Sequence, residues 1–502
     1  MRLATRIDLA LGRGVTLGNL LERVAASHPG RRLVTEADGG LELTTTEGAA
    51  LVDRWAGAVA AGTRPGDRVV LATPNGYGQF LATLAVARAG RLPVPVNSHM
   101  TPAEVDGVVA DSGAALVVRE LSALDGAEPF GPAAEADPRD IAALFYTSGT
   151  TGSPKGAELT HVGLLGGTSM LAALPTELHR DELVLALPVA HIYGFAVAVG
   201  AACAAVPAYV LDRFNPVRVL EAIDERRATI FAGVPAMYRM LEEAGADDHD
   251  LTSVRLWISG ADAMPADLAA RFKARGATVT LPLVGPVGQA TFAEGYGMVE
   301  TAGGVAVRVS PPLVPAAIGG SVGMPLPGVR FKVVDDLGQE VPMGTVGELW
   351  LRGRGVLAGY HDAPDATAGA LTPDGWLRTG DLARRGPLGI VNFEGRKKDV
   401  IKRAGYSVYA LEVERALEAH PDVLEAAVVP WPDDRDGEVP VAAVRLVDGA
   451  TVASADLDGF AHDCLSDYKR PVRYVAVDHL PRTGTNKVQR REVVALIDAA
   501  DA

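Results

Sequence analysis

Cysteine is scarce. Cys203 and Cys464 are the two in 502 residues, far apart and at no metal-ligand spacing. That leaves no cysteine zinc site and points to a reducing, cytoplasmic setting. Basic charge is short as well. Forty-seven Lys and Arg face 62 Asp and Glu, a net charge of −15, which speaks against nucleic acid or an anionic membrane as main partner. The N-terminus carries Arg2, Arg6 and Asp8 without a long apolar core, so no signal peptide is expected. Uninterrupted apolar runs are missing too. The stretch 183–211 has no Lys, Arg, Asp or Glu and is long enough to span a bilayer, but Pro188, His191, Gly194, Gly200 and Pro207 punctuate it. A buried strand, a loop, a helix and a second strand fit it better. No membrane span is expected, although peripheral contact stays compatible with the sequence. There is no Gly-x-Ser-x-Gly elbow, no internal repeat and no low-complexity tract.

What is present is enough apolar material, 48% of residues, for more than one core. Up to about residue 390, short apolar runs alternate with helix-like stretches. The pattern predicts strands over 68–73, 92–96, 115–118, 208–211 and 229–232, and helices over 78–88, 101–111 and 216–226. Such alternation implies parallel sheets covered by helices. Val/Gly-rich alternation over 319–353 reads as an antiparallel, barrel-like piece. A smaller α+β unit follows, with helices over 410–420 and 454–465 and strands over 423–429, 439–446 and 473–477. The expected class is α/β: a large N-terminal domain, 1–396, and a small mobile C-terminal domain, 397–502.

The most informative segment is Tyr146-Thr-Ser-Gly-Thr-Thr-Gly-Ser-Pro-Lys155-Gly156. It sets five Ser/Thr hydroxyls, three glycines and a lysine behind an apolar run, a combination suited to polyphosphate. Pro154 before the lysine and Gly156 after it rule out the Gly-x-x-x-x-Gly-Lys-Ser/Thr loop of nucleotide triphosphatases. Five further segments follow in order: Glu294-Gly-Tyr-Gly-Met-Val-Glu300, Gly347-Glu-Leu-Trp-Leu-Arg-Gly353, Trp376-Leu-Arg-Thr-Gly-Asp381, Gly395-Arg-Lys-Lys-Asp-Val-Ile-Lys-Arg-Ala-Gly405 and Pro481-Arg-Thr-Gly-Thr-Asn-Lys487. The set resembles the adenylate-forming superfamily of acyl-CoA synthetases, luciferases and nonribosomal adenylation domains. Within it the chain looks most like a bacterial fatty-acid–CoA ligase.

The resemblance implies a two-step ligase reaction on ATP, Mg²⁺ and coenzyme A. A carboxylate attacks the α-phosphate to give acyl-adenylate and pyrophosphate, and a thiol then displaces AMP. Charge neutralisation, not a protein nucleophile, is what this chemistry needs. By the same resemblance Thr147, Ser148, Gly149, Thr150, Thr151, Gly152 and Lys155 hold the phosphates, and Glu300 with Thr151 serves the metal. Gly260, Ala261 and Asp262 line the adenine pocket with Glu294, Gly295, Tyr296, Gly297 and Met298, Tyr296 stacking on the base. Asp381 accepts from the ribose hydroxyls, supported by Arg396. Lys487 bridges carboxylate and phosphates during adenylation. Lys398 is the hinge about which the small domain turns, bringing Lys402 and Gly405 to the site for thioester formation. Seven basic residues against one acid over 469–491 suit an anionic cosubstrate.

Three departures stand out. Val299 replaces a threonine that touches the α-phosphate, Asn486 replaces the glycine before the catalytic lysine, and 281–291 looks like an insertion. The substrate reading rests on His191-Ile-Tyr-Gly-Phe-Ala-Val-Ala-Val-Gly200, which has no acid to hold an amino-acid ammonium. An unpartnered buried ammonium costs several kcal/mol, so amino acids are rejected. His191 resembles the gate beside the acyl carboxylate. Gly194, Ala196, Ala198, Gly303 and Gly304 leave room for an alkyl chain, which favours a medium- or long-chain fatty acid over an aryl acid. Loading of a carrier protein, luciferase-like oxygenation and an inactive nucleotide-binding homologue remain the alternatives. Chain length, acceptor and a monomeric or homodimeric state are left open.

Overall fold

The computed structural model describes residues 2–147, 154–174, 180–281, 284–312, 314, 321–386, 389–482 and 488–500. Two compact units emerge, Met1–Arg330 with Arg352–Leu377, and Phe331–Leu351 with Arg378–Ala502. The 396/397 boundary expected from the motifs falls inside the second unit, because the strand Val391–Arg396 packs with the helix Ala410–Glu418.

The first unit is α/β, as expected. Its main strands lie in the order Ser321–Pro325, Gly303–Ser310, Thr291–Met298, Leu256–Gly260, Ile230–Gly233, Leu183–Leu185, Ala208–Val210, Arg32–Glu36 and Glu42–Thr44. The pairs from Thr291–Met298 to Arg32–Glu36 are parallel, and the outer pairs are antiparallel. A second, parallel sheet joins Arg68–Leu71 to Leu92–Pro95 and Leu116–Val118. The crossover helices begin where local chemistry permits. Thr101 accepts from the Glu104 N–H while Glu104 Oε2 accepts from the Thr101 N–H, a reciprocal cap on Pro102–Ser112. Asn215 accepts from the Arg218 N–H, with Pro216 in the first turn of Pro216–Arg226.

Behind the strands Ile230–Gly233, Leu256–Gly260 and Thr291–Met298 lies an aromatic core. Tyr238 and Phe272 have ring centroids 4.9 Å apart, and Trp257 and Phe272 5.2 Å, both edge to face. The Tyr238 hydroxyl donates to the Ile258 carbonyl, 2.8 Å, so burying the ring leaves no polar tip unsatisfied. Within the segment 281–291, Leu281 ends one strand and Gly285–Val287 forms another, and the two strands Val279–Leu281 and Gly285–Val287 pair antiparallel. Residues 282 and 283 lie outside the described part.

The second unit holds two sheets. Arg330–Val334, whose first residue belongs to the first unit, lies beside Val346–Arg352, Leu377–Arg385 and Val391–Arg396 in that order. The antiparallel piece expected over 319–353 therefore draws its last two strands from beyond 353. The other sheet orders Tyr406–Tyr409, Val400–Arg403, Gly437–Leu446 and Val423–Asp433, with Arg473–Ala476 parallel to Gly437–Leu446. Strand periodicity splits its core. Ala426 and Val428 join Val413, Leu417, Leu457 and Ala461 on one face, while Ala427 and Val429 join Val493 and Ile497 on the other. The strand Val423–Asp433 is thus covered on both sides. Of the cysteines, Cys203 is buried, its thiol pushed up to about 12 by burial, and Cys464 is exposed at the end of Ser454–Cys464. Among the described residues no helix is long and apolar enough to cross a membrane.

Candidate active site

The phosphate segment is the connection of a hairpin. Ile141–Thr147 and Lys155–Thr160 pair antiparallel, so that Thr147 lies opposite Lys155. Ala142, Ala143, Leu144, Phe145, Ala157 and Leu159 are buried, which anchors the hairpin in the core. The loop residues Ser148, Gly149, Thr150, Thr151 and Gly152 lie outside the described residues, as does Lys487.

A third, very short strand, Gly359–Tyr360, pairs with Lys155–Thr160. Its Tyr360 hydroxyl donates to Glu300 Oε1 at 2.9 Å, and the Leu357 N–H donates to the Glu300 carbonyl at 2.9 Å. Lys155 Nζ sits 5.6 Å from the Tyr360 ring centroid. Three sequence-distant pieces, the phosphate hairpin, the turn Val299–Thr301 and the segment around 360, therefore meet at one place. Tyr360 and His361, whose Nδ1 lies 3.0 Å from Glu158 Oε1, were not found by sequence reasoning. A Gly-Tyr pair between two motifs is a weak signal, and a two-residue strand has no period to read.

Glu300 offers a half-buried carboxylate whose Oε1 accepts from a neutral hydroxyl. Among the described residues no group of three or more His, Cys, Asp or Glu could cage a metal. A lone carboxylate fits Mg²⁺, which is held by one or two carboxylates together with substrate phosphates. The departure at Val299 has a structural sequel. Thr301, two residues on, spends its hydroxyl on the Met298 and Gly303 carbonyls, 3.0 and 2.7 Å, and accepts from the Met298 N–H. It is 2% exposed and cannot replace the missing hydroxyl.

The adenine motif forms the end of Thr291–Met298. Gly260 and Gly295 are register partners at the carboxyl ends of adjacent parallel strands, where ligands bind in open α/β sheets. A Cβ at Gly297 would fall 2.0 Å from the Gly303 carbonyl oxygen, so only glycine fits there. Glu294 is tied across the sheet to its register partner Arg308, whose burial lowers its pKa. Tyr296 is half-buried. Asp262 turns back to accept from the Ala263 N–H at 2.8 Å. Ala261 and Ala302 hold positive φ, 69° and 54°, a strain that non-glycine residues accept mainly at functional sites.

His191 caps the helix Ile192–Cys203, its Nδ1 accepting from the Tyr193 N–H at 3.2 Å. That bond places the ring proton on Nε2. The small residues nearby divide. Gly194 is packed on backbone, since a Cβ there would fall 2.2 Å from the Pro188 carbonyl oxygen, and Ala198 is fully buried. These two serve helix packing and leave no room for an alkyl chain, which corrects the expectation. Ala196 and Gly304 retain exposure, whereas Gly303 is buried beside Ala196.

Asp381, Arg396, Lys398, Lys402 and Gly405 belong to the second unit. Asp381 and Arg396 are register partners on adjacent strands, with Arg396 Nε 2.7 Å from Asp381 Oδ1. The carboxylate is 1% exposed. Lys398 is held below the ordinary lysine pKa by partial burial, with the positive charges of Arg396, Arg490 and Arg491 adding to the effect. Lys402 Nζ donates to Ser407 Oγ across its hairpin, 2.8 Å, and Gly405 has φ +85° with open space around it. The basic run 469–491 is largely neutralised: Lys469 pairs with Glu412, Arg470 with Asp467, Arg482 with Glu425 and Arg490 with Glu414. At least four of the seven basic residues are therefore already paired within the second unit.

Residues 21–361 match the AMP-binding enzyme family, and 412–487 match the AMP-binding enzyme C-terminal domain. Feruloyl-CoA synthase from an Amycolatopsis species is 35% identical over 483 residues, 91% of this chain and 94% of that protein. A fatty acid–[acyl-carrier-protein] ligase from Streptomyces coeruleorubidus is 33% identical over 477 residues, 86% of this chain and 87% of that one. The solved structure of o-succinylbenzoate CoA synthetase from Bacillus subtilis, in complex with the acyl-adenylate intermediate OSB-AMP, aligns with a TM-score of 0.81 at 26% identity, covering 95% of this chain and 98% of that one. The chain belongs to the AMP-binding enzyme family, the adenylate-forming superfamily that its motifs resemble.

Proposed function

We propose that this acid–thiol ligase of the AMP-forming kind activates an apolar carboxylic acid with ATP and transfers it to coenzyme A. A carboxylate oxygen forms a bond to the α-phosphorus while the bond to pyrophosphate breaks. The thiol sulfur then bonds to the carbonyl carbon, AMP leaves with the electron pair of the C–O bond, and the thiol proton is released. The observation that carries this reading is the meeting of Lys155, Tyr360 and Glu300 at the mouth of the Thr147/Lys155 hairpin. Lys155 neutralises phosphate charge as the pentavalent centre develops. Glu300 would hold Mg²⁺, which supplies charge neutralisation on the phosphate oxygens. His191, with its proton on Nε2, is set to donate to the acid's carboxylate and orient it. Tyr296 takes the adenine face. Ribose binding at Asp381 requires Arg396 to swing aside. Lys487, from a small domain turning about Lys398, completes the adenylation site, and Lys402 and Gly405 serve the thioester step in the turned state.

The first substrate reading is a medium- or long-chain fatty acid, resting on the exposure kept at Ala196 and Gly304. An aryl acid is the second, favoured by the feruloyl-CoA synthase relative and by the loss of Gly194 and Ala198 from the pocket. A carrier protein is the alternative acceptor, in keeping with the acyl-carrier-protein ligase relative. A cytoplasmic setting follows from the cysteine content and is part of the proposal. The test is acid-dependent pyrophosphate release across alkyl and cinnamic-type acids, with and without CoA. Thioester and AMP should form together with one class of acid. ATP binding without pyrophosphate release with every acid would overturn the ligase reading in favour of a nucleotide binder. Acyl-AMP that persists with CoA and is consumed by a carrier protein would replace the acceptor.

A further inference from the structure

We propose that Tyr360 is a positioning residue that sets the adenylation centre, aiming the Glu300 carboxylate with its hydroxyl and seating the Lys155 ammonium with its ring. This rests on the ligase reading above. The residue is fixed from its own backbone outward. It lies opposite Ala157 in the pairing of Gly359–Tyr360 with Lys155–Thr160. Its N–H donates to Thr367 Oγ1 at 2.8 Å, and on either side the Ala358 and His361 N–H groups donate to the Glu158 and Gly156 carbonyls, 2.9 and 2.8 Å. The Tyr360 backbone is thus tied to the phosphate hairpin.

From that base the side chain reaches two groups of the proposed chemistry. Its hydroxyl donates to Glu300 Oε1 at 2.9 Å, which engages one oxygen and leaves Oε2 as the ligand for a hard cation. Its face carries Lys155 Nζ at 5.6 Å from the ring centroid. A glutamate has three rotors to order, and a hydrogen bond from a fixed donor orders them before the metal arrives. Partners of this kind typically change metal affinity 10–100-fold when removed.

The experiment uses the full chain with Mn²⁺ as probe and a non-hydrolysable ATP analogue, read by electron paramagnetic resonance of bound Mn²⁺. Tyr360→Phe keeps the ring and removes the donor. Its Mn²⁺ half-saturation in the analogue complex should rise about 10–100-fold, with analogue affinity at saturating metal nearly unchanged. Tyr360→Leu should in addition weaken the analogue itself, because the lysine loses its seat. The same shift should appear in the Mg²⁺ dependence of pyrophosphate release, rescued at high Mg²⁺. A wild-type Mn²⁺ curve in folded Tyr360→Phe overturns the proposal. So does a loss that metal does not rescue, which is the mark of general structural damage. If Tyr360→Phe does not fold, Tyr360→Leu decides by the same Mn²⁺ curve. Failure of the ligase reading looks different: the wild type then releases no pyrophosphate with any acid, whatever the Mn²⁺ curves show.

Discussion

Two hairpins of this protein carry a lysine that the motifs single out, and they are built in opposite ways. The hairpin of Ile141–Thr147 and Lys155–Thr160 is embedded by Ala143, Leu144, Phe145, Ala157 and Leu159 and strapped from outside by Gly359–Tyr360. Its Lys155 rests on a ring fixed by other elements. The hairpin of Val400–Arg403 and Tyr406–Tyr409 is exposed at Lys402, Ala404, Gly405 and Tyr406. Its Lys402 bonds within the hairpin, to Ser407. Support comes from Arg403, paired with Asp436 at 3.1 Å and donating to the Asp467, Tyr468 and Arg470 carbonyls, and from Tyr406 stacked on Tyr468, centroids 4.8 Å apart. In the proposed reaction the first hairpin holds a charged group still, as charge stabilisation demands, and the second presents one.

The strongest way to break this comparison is to strip the first hairpin's site. Lys155→Ala and Glu300→Gln should each lower acyl-AMP formation about 10²–10³-fold, roughly 3–4 kcal/mol. Conversion of supplied acyl-AMP to thioester should stay near wild type. An equal loss in both half-reactions, measured separately, would mean that the two hairpins do not divide the labour.

Acid should also separate the units. His161 in the first unit is 5% exposed, and its Nδ1 accepts from the Leu17 N–H at 3.0 Å. Burial lowers its pKa from 6.5 to about 4. The unfolded chain therefore takes up the proton first. Stability from this group is whole above pH ~6.5, drains away as pH falls towards ~4, and changes no further below that. The loss is on the order of 3 kcal/mol. Urea unfolding from pH 7 to pH 4 should show it, with a flatter profile in His161→Gln. An unchanged profile would show that the histidine is not held neutral.

Next is the presenting hairpin. Arg403→Met removes its ion pair and three carbonyl contacts and should cost the second unit about 1–3 kcal/mol. Thioester formation should slow roughly tenfold, since a displacement of about 1 Å can cost more than that, while acyl-AMP formation persists. Slower adenylation to the same degree would erase the distinction.

The smallest effect is expected at Val299. Val299→Thr should speed adenylation a few-fold, about 1 kcal/mol, the net worth of one added hydrogen bond. Thr301 is committed to backbone and does not compete. A rate unchanged in stopped-flow pyrophosphate measurements would mean that another donor already serves the α-phosphate.

Legibility followed the range of the interactions. The second unit's helices Ala410–Glu418 and Ser454–Cys464, and its strands Val423–Asp433 and Gly437–Leu446, are legible from local apolar patterning to within a few residues. The motif segments were readable because their chemistry is local in sequence. Contacts across long separations were not. Glu300 and Tyr360 are 60 residues apart, and Glu158 and His361 are 203. No local pattern marks such pairs. The basic run 469–491 misled because its counterions, Glu412, Glu414 and Glu425, lie on other elements. Gly194 and Ala198 misled because a small residue looks the same whether it borders a cavity or a neighbouring backbone.

The two cysteines give the protein a built-in attachment point for a spectroscopic label. Cys203 is sealed within its helix, with a thiol that stays protonated until about pH 12, whereas Cys464 lies open on the second unit. Partial burial and Asp463 raise the Cys464 thiol as well, so a maleimide dye will couple faster on the alkaline side of neutral. One fluorophore per chain, placed without any substitution, would then test by anisotropy, or by energy transfer to a labelled acyl group, whether the small unit turns between the half-reactions.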